Sequence, residues 1–113
     1  MGTGLSGNYS NTKGGRILYS VNTKSSAISS TSSLPETIQK TVKSFFRGGS
    51  NNYNRFLVQK NPNGGYTAKM ENPGKVPGSK AIYYKVIDEN GKTVRVYKET
   101  YDPNGNLIHT KEK

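Results

Sequence analysis

The sequence predicts an α+β fold, with an N-terminal helix packed on a twisted antiparallel sheet of about four to five strands. One stretch of the chain repeats apolar residues at helical spacing, and the residues after it alternate with a period of two. Three connections in that second part share one turn sequence that is typical of hairpins. With 113 residues, the chain is long enough for one ordinary domain and too short for two.

Residues 1–33 are rich in Ser, Gly and Thr and contain no Asp or Glu. This composition predicts a flexible leader or linker, followed by one folded domain over residues 34–113. Within the leader, the apolar segment at residues 16–21 is compatible with a short strand or with a stretch that docks on the domain.

The predicted helix begins at a capping box, with a hydroxyl at Ser33, Pro35 in the first turn and Glu36 three residues after the cap. The pair Gly48-Gly49 is expected to end the helix in the left-handed conformation. These signals bound an amphipathic helix over residues 34–47, whose apolar positions are Leu34, Ile38, Val42, Phe45 and Phe46.

Alternation of apolar and polar residues then predicts strands at residues 54–60, 66–71, 80–88, 92–101 and 106–111. The three shared connections are residues 61–64, 88–91 and 102–105, and each places Asp or Asn first and Gly fourth. That order is typical of a type I turn followed by a left-handed Gly. It therefore predicts antiparallel hairpins with three-residue loops.

A three-residue loop places Asp88 opposite Lys92 and Asp102 opposite Asn106, and this register decides which side chains share a face. It puts a core face of Ile82, Tyr84, Val86, Val94, Val96 and Ile108 under the helix. The exposed face then holds Tyr83, Lys85, Arg95, Tyr97, Glu99, His109 and Lys111. In this register Glu99 lies opposite His109 and Lys85 lies opposite Arg95. A two-residue loop at Asn90-Gly91 would exchange the two sets of side chains.

The charge of the chain points to a polyanionic partner, because 17 Lys and Arg stand against 7 Asp and Glu, a formal net charge of +10. A solubility role for this charge is the plainer alternative. The absence of cysteine excludes a disulfide framework and a thiolate zinc site, and a single histidine argues against an all-protein zinc site. No apolar run is long enough to span a membrane, and the first residues lack the apolar core of a signal peptide.

The predicted exposed face has the side chains that a metal-independent ribonuclease needs. Attack by the RNA 2′-hydroxyl requires a base, an acid and cations that stabilise the phosphorane. Glu99 and His109 are the candidate base and acid, in either order, while Lys85 and Arg95 would hold the phosphate. Tyr83 and Tyr97 would stack on bases. Each feature also has an ordinary explanation, since cross-strand Glu–His pairs and strand tyrosines are common on surfaces.

Residues 77–91 and 97–109 resemble the C-terminal toxin modules of bacterial polymorphic toxins, which belong to the barnase–EndoU–colicin–RelE superfamily of ribonucleases. The resemblance covers the last third of the chain, includes the helix loosely and leaves out the leader. The family pattern of Lys, Thr, Tyr and Asp, a turn and then His falls on Lys98, Thr100, Tyr101, Asp102 and His109. A preceding Tyr and Lys fall on Tyr83 and Lys85. The register above turns Lys98 and Thr100 away from His109, unless a bulge near Lys98 brings them together.

The resemblance implies a metal-independent endoribonuclease without a cofactor that cleaves tRNA or another cellular RNA in interbacterial competition. It implies delivery as the C-terminal part of a larger secreted effector, action in the target-cell cytoplasm and a cognate immunity protein, which the charge of the chain predicts to be acidic. Two alternatives stay open: a non-catalytic nucleic-acid-binding module and a secreted adhesion or wall-binding module. The candidate catalytic residues are His109, Lys85, Glu99, Thr100 and Lys98. The candidate substrate contacts are Arg95, Tyr83, Tyr97, Lys80, Arg47, Arg55 and Lys111.

Overall fold

The computed structural model describes residues 15–113 as an antiparallel sheet with two α-helices. The strands follow one another in the sheet in chain order, from β1 at one edge to β6 at the other. Neither helix of the described residues is long and apolar enough to cross a membrane. The elements are β1 (Arg16–Val21), α1 (Lys24–Ser30), α2 (Glu36–Arg47), β2 (Arg55–Lys60), β3 (Tyr66–Pro73), β4 (Lys80–Ile87), β5 (Thr93–Tyr101) and β6 (Leu107–Glu112).

The α+β prediction is confirmed, but the sheet has six strands, one more than the upper expectation, and a second helix precedes the predicted one. Both additions lie in residues 15–33, which the sequence assigned to a flexible leader; the rest of that leader falls outside the described residues. Thr23 caps α1 by accepting a hydrogen bond from the Ser26 amide at 3.2 Å. Ala27 is fully buried, and its carbonyl accepts a hydrogen bond from the Tyr19 hydroxyl. These contacts hold the Ser-rich segment against the domain.

The helix predicted at 34–47 is confirmed as α2, although the expected signals at both of its ends are wrong. The Ser33 hydroxyl donates to the Ser30 carbonyl within a short 3₁₀ turn, so it does not cap α2, and Pro35 stands at the cap position. Gly48 has a φ of −74°, which is not left-handed. The Lys24 ammonium instead donates to the carbonyls of Arg47 and Gly49 at the end of the helix. A cation there also suits the helix dipole.

The core lies between the helices and one side of the sheet, here called the helix face. Ile38, Val42 and Phe46 of α2 are fully buried, and the Phe46 ring meets the Phe56 ring of β2 edge-on at 5.4 Å. Burial of a large apolar side chain contributes about 1.5–3 kcal/mol. This contact anchors α2 over the first strands of the sheet, and Ile87 of β4 is the last strand residue buried in this core.

The three predicted turns are confirmed. Gly64, Gly91 and Gly105 have φ values of +93°, +89° and +87°, which glycine adopts at little cost. In the second turn the Asp88 amide donates to the Lys92 carbonyl at 2.8 Å. In the third turn the Asp102 amide donates to the Asn106 carbonyl at 2.9 Å. The register next to each turn is therefore the predicted one.

Beyond these two turns the predicted register is wrong, because a β-bulge in each hairpin adds one residue to one strand. Ile87 pairs with Thr93, but Val86 pairs with Arg95, so Val94 is the extra residue. In the last hairpin Ile108 is the extra residue, because Tyr101 pairs with Leu107 and Thr100 with His109. A slip of one residue moves a strand's side chains to the other face.

The predicted core face of β4 is also wrong, because its pairing with β3 turns the other set of its side chains toward the core. Ile82, Tyr84 and Val86 lie on the reverse face of the sheet, which is the side opposite the helices, and not under α2. Tyr84 is the partner of Tyr97 there, with ring centroids 4.4 Å apart. Val94 and Ile108 are largely exposed, as bulged residues at the surface often are.

We expect Gly91→Ala to destabilise the protein more than Gly105→Ala. Both glycines have a positive φ, so both changes carry the strain of a left-handed alanine, about 1 kcal/mol. A Cβ at Gly91 would also lie 2.3 Å from the Thr37 carbonyl oxygen in α2, whereas a Cβ at Gly105 meets nothing within 4 Å. The additional loss at Gly91 should be about 1–3 kcal/mol. Urea unfolding of both variants measures this difference, and equal losses would contradict the close contact of α2 with this turn.

Candidate nucleic-acid interface

The part of the helix face that α2 leaves open lies on β4, β5 and β6. Phe45, near the end of α2, borders it, and the Lys85 ammonium lies 5.9 Å from the centre of its ring. We call this surface the basic face and define it by the residues Tyr83, Lys85, Lys98, Thr100, His109 and Lys111. All six were candidate site residues, and the two bulges bring them to one side of the sheet.

The basic face is organised in rows of directly paired residues that cross the strands. In one row Thr100 pairs with His109, and in the next Tyr83 pairs with Lys98, which pairs in turn with Lys111. The bulge at Ile108 brings Thr100 and His109 opposite each other. This pairing differs from the register that the turns alone predicted, which placed Glu99 opposite His109.

Lys98 and Lys111 face each other across neighbouring strands, although like charges in this position destabilise a sheet. The Lys98 ammonium lies 5.6 Å from the centre of the Tyr83 ring, and the Lys113 ammonium lies 5.4 Å from it. These cations therefore converge on one aromatic ring. Such an arrangement favours an anion that bridges them, since an anion would remove the repulsion.

Tyr83 also belongs to an aromatic pair that the sequence did not reveal. Tyr53, in the connection before β2, stacks on Tyr83 with ring centroids 5.7 Å apart and planes 23° from parallel. Burial, followed by the charge of the Tyr83 hydroxyl group and a hydrogen bond with it, raises the pKa of Tyr53 to about 12. Tyr53 stands outside every helix and strand, so the periodicity that identifies face residues gave no signal for it.

The two faces of the sheet differ in their acidic residues. All three glutamates within the strands, Glu71, Glu99 and Glu112, lie on the reverse face. No carboxylate lies on the basic face among its paired residues, which are lysines, Thr100, His109 and Tyr83. Within residues 15–113, no group of three His, Asp or Glu side chains is placed to hold a metal ion. The separation of charge leaves the basic face to attract anions.

Three predicted site residues lie on the reverse face, because they follow the bulge at Val94. Glu99 is therefore not opposite His109, and its carboxylate accepts a hydrogen bond from the Tyr101 hydroxyl at 2.8 Å. Arg95 makes a bidentate ion pair with Glu112, at 3.1 and 2.5 Å, and lies over the Tyr97 ring. Its guanidinium lowers the pKa of Glu112. Tyr97 is buried against Tyr84 and presents little surface to a ligand.

The remaining predicted substrate contacts also lie away from the basic face. Lys80 lies on the reverse face, with its ammonium 5.7 Å from the centre of the Tyr101 ring. Arg55 pairs with Glu71 on the same side. Arg47 is exposed at the end of α2, where its carbonyl accepts a hydrogen bond from Lys24.

The reverse face holds a buried lysine that the sequence did not single out. Lys69 is 6% exposed, and its ammonium lies 5.9 Å from the centre of the Tyr84 ring. Burial, with a smaller effect from the charge of Arg55, lowers the pKa of Lys69 from 10.5 to about 7. The nearby carboxylates of Glu71 and Glu99 act in the opposite direction.

Comparison of the chain with protein-family models, with curated proteins and with solved structures gave no match.

We expect Lys111→Gln to stabilise the unliganded protein and to weaken its affinity for phosphate. The variant removes the repulsion between Lys98 and Lys111, so the free energy of unfolding at low salt should rise by about 0.5 kcal/mol. Added phosphate should then stabilise the variant less than the wild type. Urea unfolding with and without phosphate measures both effects, with Lys75→Gln in the exposed β3–β4 connection as the control. Equal responses of the two variants would contradict an anion site at this pair.

We expect Lys69→Met to flatten the pH dependence of stability. Between pH 7 and 10.5 the unfolded chain holds a proton on Lys69 that the folded protein has lost, because the folded pKa is about 7. The free energy of unfolding of the wild type should therefore rise with pH from about 7 upward, by at most about 1.4 kcal/mol per pH unit. Urea unfolding between pH 7 and 9.5 tests this. The same slope in Lys69→Met as in the exposed control Lys75→Met would contradict it.

Proposed function

We propose that the basic face binds RNA and cleaves it without a metal ion, by attack of the RNA 2′-hydroxyl on the adjacent phosphorus. The observation that supports this function best is the placement of His109 opposite Thr100, beside the opposed pair Lys98 and Lys111. A side chain that can accept or donate a proton thus stands next to concentrated positive charge. No carboxylate lies among the paired strand residues of this face that the structure describes, and this favours a negatively charged substrate.

In the proposed reaction the 2′-oxygen forms a bond to phosphorus while the bond to the 5′-oxygen breaks. His109 takes the proton of the 2′-hydroxyl, and we assign the proton that the leaving 5′-oxygen receives to the Lys98 ammonium. Lys85 and Lys111 stabilise the additional negative charge of the phosphorane. Thr100 is assigned to hydrogen bonding with the imidazole or the phosphate. The products are a 2′,3′-cyclic phosphate and a 5′-hydroxyl.

Glu99 has no role in this proposal. The sequence suggested it as the acid or base that works with His109, but the two residues lie on opposite faces of the sheet. The second group in the reaction is therefore taken from the basic face, where lysines are the available donors.

The biological setting that we propose rests on the resemblance to polymorphic toxin modules and on charge. In that setting the domain is the toxic part of a larger secreted effector and cleaves tRNA or another RNA in the cytoplasm of a competing bacterium. An immunity protein would protect the producing cell by covering the basic face with carboxylates, because opposite charges favour fast association.

The experiment compares His109→Ala with Glu99→Gln, which changes a titratable residue on the reverse face. Both proteins are incubated with total bacterial RNA in EDTA, and the new RNA ends are sequenced and tested for 2′,3′-cyclic phosphate. We expect His109→Ala to lose cleavage by a factor of at least about 100, the usual effect of removing an acid–base group, and Glu99→Gln to retain it. Circular dichroism confirms that both variants are folded.

Full cleavage by folded His109→Ala would remove this residue from the mechanism, and a requirement for metal would contradict the proposed chemistry. Binding of RNA that weakens steeply with salt, without any cleaved product, would instead support the non-catalytic module. Absence of RNA binding at physiological salt would favour the adhesion alternative.

A further inference from the structure

A row of paired residues crosses four strands at the edge of the basic face. Asn72 of β3 pairs with Ala81 of β4, Ala81 with Thr100 of β5, and Thr100 with His109 of β6. Paired residues point to the same side of the sheet, so all four side chains lie on the helix face. The row therefore links the candidate catalytic histidine to an amide side chain on β3.

Ala81 makes a notch in this row. Its side chain is a single methyl group and is partly exposed, while Asn72 and Thr100 stand on either side. With strands about 4.8 Å apart, the backbones of Asn72 and Thr100 are separated by roughly 10 Å, which leaves room for one planar ring. Along β4, the notch ends at Tyr83, whose ring is stacked with that of Tyr53. The notch thus has an aromatic wall.

The side chain of Asn72 stands at the β3 end of the notch. Its Oδ1 atom is buried and accepts no hydrogen bond from any group that the structure describes. Buried acceptors are nearly always satisfied, so an exception calls for an explanation. An amide presents an acceptor and a donor side by side, and a nucleobase edge presents the complementary pair of groups. Rotation of the side chain would bring both amide groups to a base in the notch.

We infer that the notch over Ala81 is a binding subsite for one unpaired nucleobase, with Asn72 bonding to its edge and the Tyr53–Tyr83 pair contacting its ring. This inference rests on the proposed function, and it narrows the substrate to RNA that is single-stranded at the cleaved position, because a base stacked within a duplex cannot also place its ring against the Tyr53–Tyr83 pair. The phosphate attached to that nucleotide then lies toward Thr100 and His109, in the same row. Asn72 and Ala81 are positioned to determine specificity and do not take part in the chemistry.

The test measures binding of small ligands and does not depend on cleavage. The four nucleoside 5′-monophosphates are compared with ribose 5-phosphate, which has the same sugar and phosphate but no base, by amide NMR titration of the whole chain. For the wild type we expect at least one nucleotide to bind about tenfold more tightly than ribose 5-phosphate, as one stacked base contributes.

Ala81→Leu fills the notch. It should abolish this advantage, which is the tighter binding of the nucleotide than of ribose 5-phosphate, and leave the affinity for ribose 5-phosphate unchanged. Thr110→Leu makes a similar change on the reverse face of β6 and should keep the advantage. Asn72→Ala is the second variant. It introduces no steric conflict, and it should reduce the affinity for the nucleotide, relative to that for ribose 5-phosphate, severalfold. The amide spectrum of each variant shows whether it is folded.

Equal affinity of the wild type for all nucleotides and for ribose 5-phosphate would overturn the subsite. An unchanged ratio of these affinities in folded Ala81→Leu and Asn72→Ala would overturn it as well. The two proposals fail separately. If RNA is cleaved but no nucleotide binds more tightly than ribose 5-phosphate, the proposed function stands and the subsite is overturned. If a nucleotide binds more tightly than ribose 5-phosphate but RNA is not cleaved, the subsite stands and the catalytic function is overturned.

Discussion

Two β-bulges decide what this sheet presents to its surroundings. Each adds a single residue, Val94 in β5 and Ile108 in β6, and each turns the following residues over by one position. Without the first bulge, Glu99 would lie among the lysines of the basic face and Lys98 would lie with the tyrosines of the reverse face. The placement of His109 opposite Thr100 depends on the second. The electrostatic character of both faces is therefore set by backbone geometry as much as by composition.

The position of α2 supplies the second constraint, because it fixes where the covered part of the helix face ends. Its buried residues pack over the first strands, and its early turns press on the turn at Gly91, where Thr41 donates to the Gly91 carbonyl at 3.2 Å. Phe45 stands at the limit of this contact and lies beneath the Lys85 ammonium. An anion on the basic face would thus have a helix on one side and open solvent on the other. A long polymer could extend through the open side.

The parts of this structure that could be predicted from the sequence are those that local chemistry determines. The Asn-Gly and Asp-Pro-Asn-Gly turns, the strands between them and α2 follow from dihedral preferences and periodicity within a few residues. The bulges did not, because Val94 and Ile108 have no local mark that separates them from ordinary strand residues. Lys98, Thr100 and His109 were grouped by a resemblance that the turns alone contradicted. Tyr53 and Asn72 gained meaning only when the strands were placed side by side, and the Ser-rich composition before α2 concealed α1.

The last strand, which holds His109 and Lys111, belongs to neither apolar cluster of the described core, and all six of its residues are exposed. Its attachment therefore relies on backbone pairing with β5 and on the exposed ion pair between Glu112 and Arg95, against the repulsion of two ammonium groups. Segments with so little buried apolar surface open at a low free energy. An anion bound between β5 and β6 would stabilise the docked state of β6, since it binds only when the two strands are paired. Binding of an anion and docking of β6 on β5 would then be linked equilibria. An anionic polymer that binds there would also stabilise the strand that carries part of its binding site.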